Sequence, residues 1–164
     1  RFQGRYERAS GRLQDYMRSP SEESLNRVKD CLPDVIYHPG FMWEYCRHLY
    51  LNRRYCDCLG VFPVYHAHVR KTSETLCDLG NAYLNVYGFR EAEACFAQAR
   101  QMIPTRIYPR YCLFRLYRSQ GDTLRARQTA EALVAFPVRI MNSTSIRIKA
   151  EARNYLKHLR RNDW

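Results

Sequence analysis

The stretch 76–104, LCDLGNAYLNVYGFREAEACFAQARQMIP, constrains this chain most. Apolar or small residues stand at Leu76, Leu79, Gly80, Tyr83 and Val86, and again at Ala92, Cys95, Phe96 and Ala99. Both runs have helical spacing, and Gly88 divides them. Gly80 and Ala92 put minimal side chains where two helices would come closest, and Pro104 ends the unit. A unit of this kind is expected to recur, with a period of about 34 residues.

It does recur. One step forward, Leu79 becomes Leu113, Tyr83 becomes Tyr117 and Ala92 becomes Ala126. One step back, Leu76 becomes Met42, Leu79 becomes Tyr45, Phe89 becomes Tyr55, Ala92 becomes Cys58 and Phe96 becomes Phe62. Three repeats follow, over 39–71, 72–105 and 106–137. Three positions depart from the pattern. Arg70 replaces the terminal Pro in the first repeat. Phe114 replaces Gly80, which predicts a third helix pair that is spread apart, and Ala130 replaces Phe96. These motifs resemble the tetratricopeptide repeat. The resemblance implies an all-α, right-handed solenoid of helix pairs running through 1–164 as a single domain.

The flanks are read on the same basis. Phe2, Tyr6, Ala9, Leu13 and Met17 share a helical face. Ser19-Pro20-Ser21-Glu22 reads as a helix start, with Ser19 as the cap and Glu22 reaching back to it. Leu25, Val28, Leu32 and Ile36 continue that helix, which Pro33 kinks or ends. The segment 1–38 is thus a degenerate repeat. Beyond Pro137, Val138-Arg139-Ile140 reads as extended and Asn142-Ser143-Thr144 as a cap. Ile148, Ala152, Tyr155, Leu156 and Leu159 then form the stripe of a capping helix within 138–164. Its other face is basic, with Arg147, Lys149, Arg153, Lys157, Arg160 and Arg161 read as solvated.

Charge bounds the partners. The net charge is +11, carried by scattered basic residues. It favours an acidic protein or peptide partner, or an anionic glycan or membrane surface. Nucleic acid is disfavoured, because no zinc-finger, RNA-recognition or helix-turn-helix signature is present. No run of about 20 apolar residues exists to span a membrane. The chain starts at Arg1 without Met and is read as a piece of a longer protein.

The binding face expected of such repeats is the inner side of each first helix. It carries Trp43, Arg47 and Tyr50 in the first repeat, then Cys77, Asn81, Leu84 and Asn85. In the third it carries Tyr111, Arg115 and Arg118. Spacings of three and four keep each set on one side of its helix. Arg can hold a carboxylate or phosphate through paired hydrogen bonds, and Asn can meet an extended backbone. The alternative is that these residues pack against a neighbouring helix or form ordinary surface.

No metal site, cofactor or catalytic constellation is expected. Cys56-x-Cys58 and His66-x-His68 point to different sides of a helix. No nucleophile elbow, phosphate-binding Gly-rich loop or HExxH is present. Glu91 and Glu93 are read as solvated. Cys46 and Cys58 occupy the two close-contact positions of the first pair. Two readings are open for them, a disulfide or packing as small apolar residues. With seven cysteines, at least one stays outside any set of intrachain pairs.

A narrower resemblance rests on Met102-Ile103-Pro104, Arg106-Ile107-Tyr108-Pro109, Gly121-Asp122-Thr123, the stretch 40–55 and the Pro-Val-basic segment before Ser143-Thr144. These are similar to the C-terminal repeat region of bacterial O-antigen ligase or polymerase-like membrane proteins. That resemblance implies a non-catalytic scaffolding tail on the periplasmic face of the inner membrane, in surface polysaccharide assembly. The alternatives are direct binding of an anionic glycan or lipid surface by a basic aromatic groove, and a free-standing cytoplasmic adaptor for acidic peptides.

Overall fold

The computed structural model describes residues 1–162. Among them are ten α-helices and no β-strand. They are α1 (Phe2–Arg18), α2 (Glu22–Lys29), α3 (Leu32–Val35), α4 (Pro39–Leu51), α5 (Tyr55–His68), α6 (Ser73–Asn85), α7 (Phe89–Met102), α8 (Ile107–Gln120), α9 (Thr123–Ala135) and α10 (Ser143–Asn162). The chain divides into two compact units, Arg1–Lys71 and Thr72–Trp164. The last two residues of the expected capping segment lie outside the described residues.

In the first unit α1 packs on α2 and α3, and α4 pairs with α5. Tyr16, Leu25, Val28, Tyr45, Cys46, Leu49, Cys58 and Phe62 are buried. Here the sequence expectations need three corrections. The buried face of α1 is Ala9, Leu13 and Tyr16, while Phe2 is 63% exposed. The cap of α2 is Ser21, which exchanges hydrogen bonds with Ser24; Ser19 instead closes α1. The helix expected through Ile36 is two helices, with Pro33 in the first turn of the second, where a missing N–H costs nothing. Asp57 ties this unit together, accepting from Lys29 at 2.7 Å and Arg54 at 2.8 Å. Burial opposes its charge, but those two donors outweigh it and hold the carboxyl below the usual range.

In the second unit α6 pairs with α7, α7 packs on α8, α8 pairs with α9, and α9 packs on α10. Thr72 and Thr75 form a capping box at the start of α6. Asn142 caps α10 as expected, accepting from the Ser145 amide at 2.9 Å.

The helix starts repeat without slippage. α4, α6 and α8 begin at 39, 73 and 107, and α5, α7 and α9 at 55, 89 and 123, so each step is 34 residues. The turns between partners repeat too. Arg53, Tyr87 and Gly121 are the described residues with positive φ, at 57°, 62° and 71°. The amides that follow, of Arg54, Gly88 and Asp122, donate to the carbonyls of Leu49, Tyr83 and Tyr117. This is one helix-ending motif built three times. Gly88 is therefore not the left-handed residue of its turn; Tyr87 is, while Gly88 has φ −79° and caps α7.

An L side chain in this conformation is strained, and Tyr87 is 81% exposed. Tyr87→Gly is expected to stabilise the fold by about 0.5–1 kcal/mol, less than the full relief because glycine frees the unfolded chain. Denaturant unfolding checks it; an unchanged or lower midpoint refutes the strain argument.

Gly80 allows α6 and α7 to approach closely. A Cβ there would stand 2.7 Å from Cδ1 of the Phe96 ring, and closer still to Cε1. One repeat later, Phe114 and Ala130 occupy the equivalent places and are both fully buried. The large side chain has moved to the first helix and the small one to the second. Phe114 fills the space above Ala130 and also meets Tyr155 of α10 edge-on, at 5.3 Å between ring centroids.

Candidate functional site

Tyr111, Phe114 and Arg118 of α8 meet α10. Glu151 is the one acidic residue of α10 and sits at the centre of the contact. The Tyr111 hydroxyl donates to it at 2.8 Å, and the Arg118 guanidinium donates to its other oxygen at 2.8 Å. The Arg118 guanidinium also lies 5.2 Å from the Phe114 ring centroid and 5.6 Å from that of Tyr155. Arg115 lies over Tyr111 at 5.8 Å. A depression of about 240 Å³ is lined by Arg115, Arg118, Ser119 and Glu151. Burial raises the Tyr111 pKa first, and the hydrogen bond to Glu151 adds to it, so the phenol stays a donor at neutral pH.

The expected site residues fall into three groups. Arg47 and Asn85 are exposed, and Arg115 is half-buried. Tyr111 and Arg118 are bound to Glu151. Trp43, Tyr50 and Asn81 are drawn into packing. Trp43 is half-buried with its ring 6.4 Å from that of Tyr65, and Tyr50 meets Tyr55 edge-on. Asn81 is 2% exposed, because α8 covers that side of α6. Its Nδ2 donates to the Tyr108 hydroxyl at 3.3 Å, and its buried Oδ1 has no partner. Cys77 and Leu84, from the same face, belong to the core with Cys112 and Leu116. A hydrogen bond with Cys112 and then burial push the Cys77 thiol far above its ordinary pKa, so it is inert. Trp43, Arg47 and Tyr50 stand on α4 in the first unit; the other seven expected residues stand in the second.

Three residues central to this geometry carried misleading or unused signals. Glu151 is a lone carboxylate on a basic helix, a pattern that marks a charge with a partner. Lys149, expected in solvent, is 8% exposed. It falls beside Ser145, Ile148 and Ala152 on the buried stripe, and its ammonium donates to the carbonyls of Val134 and Phe136 at the end of α9. Glu93, also expected in solvent, accepts from Tyr117 at 2.9 Å and Arg125 at 3.0 Å, joining α7 to α8 and α9.

All seven cysteines are thiols. Cys46 and Cys58 are fully buried, with no disulfide between them. Among the described residues, no three His, Cys, Asp or Glu side chains are placed to hold a metal ion, and no helix is long and apolar enough to cross a membrane. No protein-family model matches this chain, and no curated protein matches it in sequence.

Proposed function

We propose that this chain is a tetratricopeptide-like, non-catalytic interaction module that binds an acidic segment of a protein partner on the α8–α10 face. The observation that carries the repeat reading is the recurrence of one turn, with a left-handed residue at 53, 87 and 121. Helix pairs joined by identical turns at a fixed period are what repeat scaffolds use to present side chains along a binding surface. The preference for acid follows from local charge. Arg115 and Arg118 line the depression with a single carboxylate, Glu151, and the charge of Arg147 acts on the adjoining Tyr111, which leaves that face positive. Arg115 is the side chain best placed to take an incoming carboxylate, since Arg118 is already engaged. The wider reading, a periplasmic tail of an O-antigen-ligase-like membrane protein, is proposed on the short sequence motifs alone.

A fluorescent Asp/Glu-rich peptide and its Asn/Gln counterpart make the test. The acidic peptide is expected to bind and the neutral one not. Arg115→Ala with Arg118→Gln should weaken binding about tenfold or more while leaving the helical circular dichroism intact. Equal binding of both peptides, or no loss in the double variant, would overturn the acidic-partner reading.

A further inference from the structure

A second face of α8 borders a cleft of about 240 Å³ between α7, α8 and α9. Arg100 reaches it from the last turn of α7, Arg110 from the first turn of α8 and Arg125 from the first turn of α9. Leu113 and Ala132 give it apolar walls. Arg125 is already satisfied: Asp122 accepts from it at 2.7 Å and Glu93 at 3.0 Å, and its guanidinium lies 4.5 Å from the Tyr117 ring centroid.

The other two arginines are not balanced in this way. Among the described residues neither Arg100 nor Arg110 makes an ion pair. Arg110 lies 5.0 Å from the centroid of the Phe136 ring, and its Nε is buried without an acceptor. Burial lowers its pKa, and the nearby charge of Arg100 lowers it further, although a guanidinium keeps its proton. Two like charges are thus held near one another in a partly desolvated cleft. A buried donor without an acceptor is costly, and so is an unpaired cation.

We propose that this cleft binds a phosphate monoester group, gripped by Arg100 and Arg110. Among the described residues Arg100 and Arg110 have no carboxylate of their own, and two guanidinium forks can engage the three terminal oxygens of a phosphate monoester, whereas a carboxylate offers only two. Guanidinium forks suit phosphate oxygens. Gln128 and the Tyr117 ring border the same space, and the apolar walls leave room for the group that carries the phosphate. The site is separate from the α8–α10 face and does not depend on it. The phosphate can belong to a small metabolite or to a modified side chain of a partner.

The test titrates inorganic phosphate and a phosphoserine peptide into the whole chain at constant ionic strength. Chloride and the unphosphorylated peptide are the controls, and the arginine Nε–H resonances are followed by NMR. Both phosphate species are expected to shift the Arg110 resonance. Arg100→Gln should weaken binding about tenfold or more. Arg110→Lys, which keeps the charge and a long stem over Phe136, should weaken it as well, because the fork is lost. Tighter binding of the phosphopeptide than of phosphate assigns the site to a modified partner, and equal binding to a small phosphate. No shift, the same shift with chloride, or full affinity in both variants would overturn the proposal.

Discussion

Gly80→Ala is expected to destabilise the protein when Phe96 is present and to stabilise it when Phe96 is replaced by Ala. With Phe96 in place, the added Cβ meets a fully buried ring that has no free end to swing away. Such overpacking costs about 1–3 kcal/mol. Phe96→Ala alone removes a core side chain and leaves a cavity, at about 3–5 kcal/mol. In that background the new methyl enters the vacated space. It also replaces glycine in a helix interior by the best helix former, a gain of about 1 kcal/mol. The sign of the Gly80→Ala effect should therefore reverse between the two backgrounds. Urea unfolding of the four proteins measures the coupling. Additive effects would mean that α6 and α7 do not meet at this point. The natural arrangement of Phe114 over Ala130 one repeat later shows that the same pair of positions accepts the opposite order.

Lys149→Met should lower stability by about 2–4 kcal/mol, while Arg153→Met on the exposed side of the same helix should change it by less than about 0.5 kcal/mol. Lys149 is a buried cation whose partners are backbone carbonyls of Val134 and Phe136. The end of α9 carries partial negative charge and unpaired carbonyls, and the ammonium answers both. Methionine retains the length and the packing of the stem but leaves those carbonyls without donors. The comparison with Arg153 separates this loss from a general change in net charge. Similar effects at both positions in thermal or urea unfolding would reject the capping role.

Much of the architecture was legible from 76–104 and its echoes. Residues three and four apart must share a helical face, so the spacing of Leu76, Leu79, Gly80 and Tyr83 is itself a statement about helix. Cap chemistry at Asn142 was equally local. Legibility ended where a local pattern allowed two outcomes. Ser19 and Ser21 could each cap a helix, and only the folded backbone chose Ser21. Gly88 divides the two runs in the sequence, yet the left-handed residue of that turn is Tyr87.

The candidate site was less legible for a physical reason. A helical face can be read from one segment, but what covers it depends on another. Asn81 and Asn85 share a face by spacing, and α8 buries the first while leaving the second in water. Tyr111 and Arg118 were visible as a polar strip; that Glu151, 40 residues after Tyr111, would hold both was not.

From residue 39 to 135 the sequence by itself determined the helices, their 34-residue period and their pairing, since these follow from local spacing and from turns a few residues long. Only the tertiary structure decided which polar groups are spent in the core, which cation caps α9, and that Arg100 and Arg110 face one cleft unbalanced. Those outcomes depend on distances between segments, where packing and desolvation set the energy, and no single helix carries them.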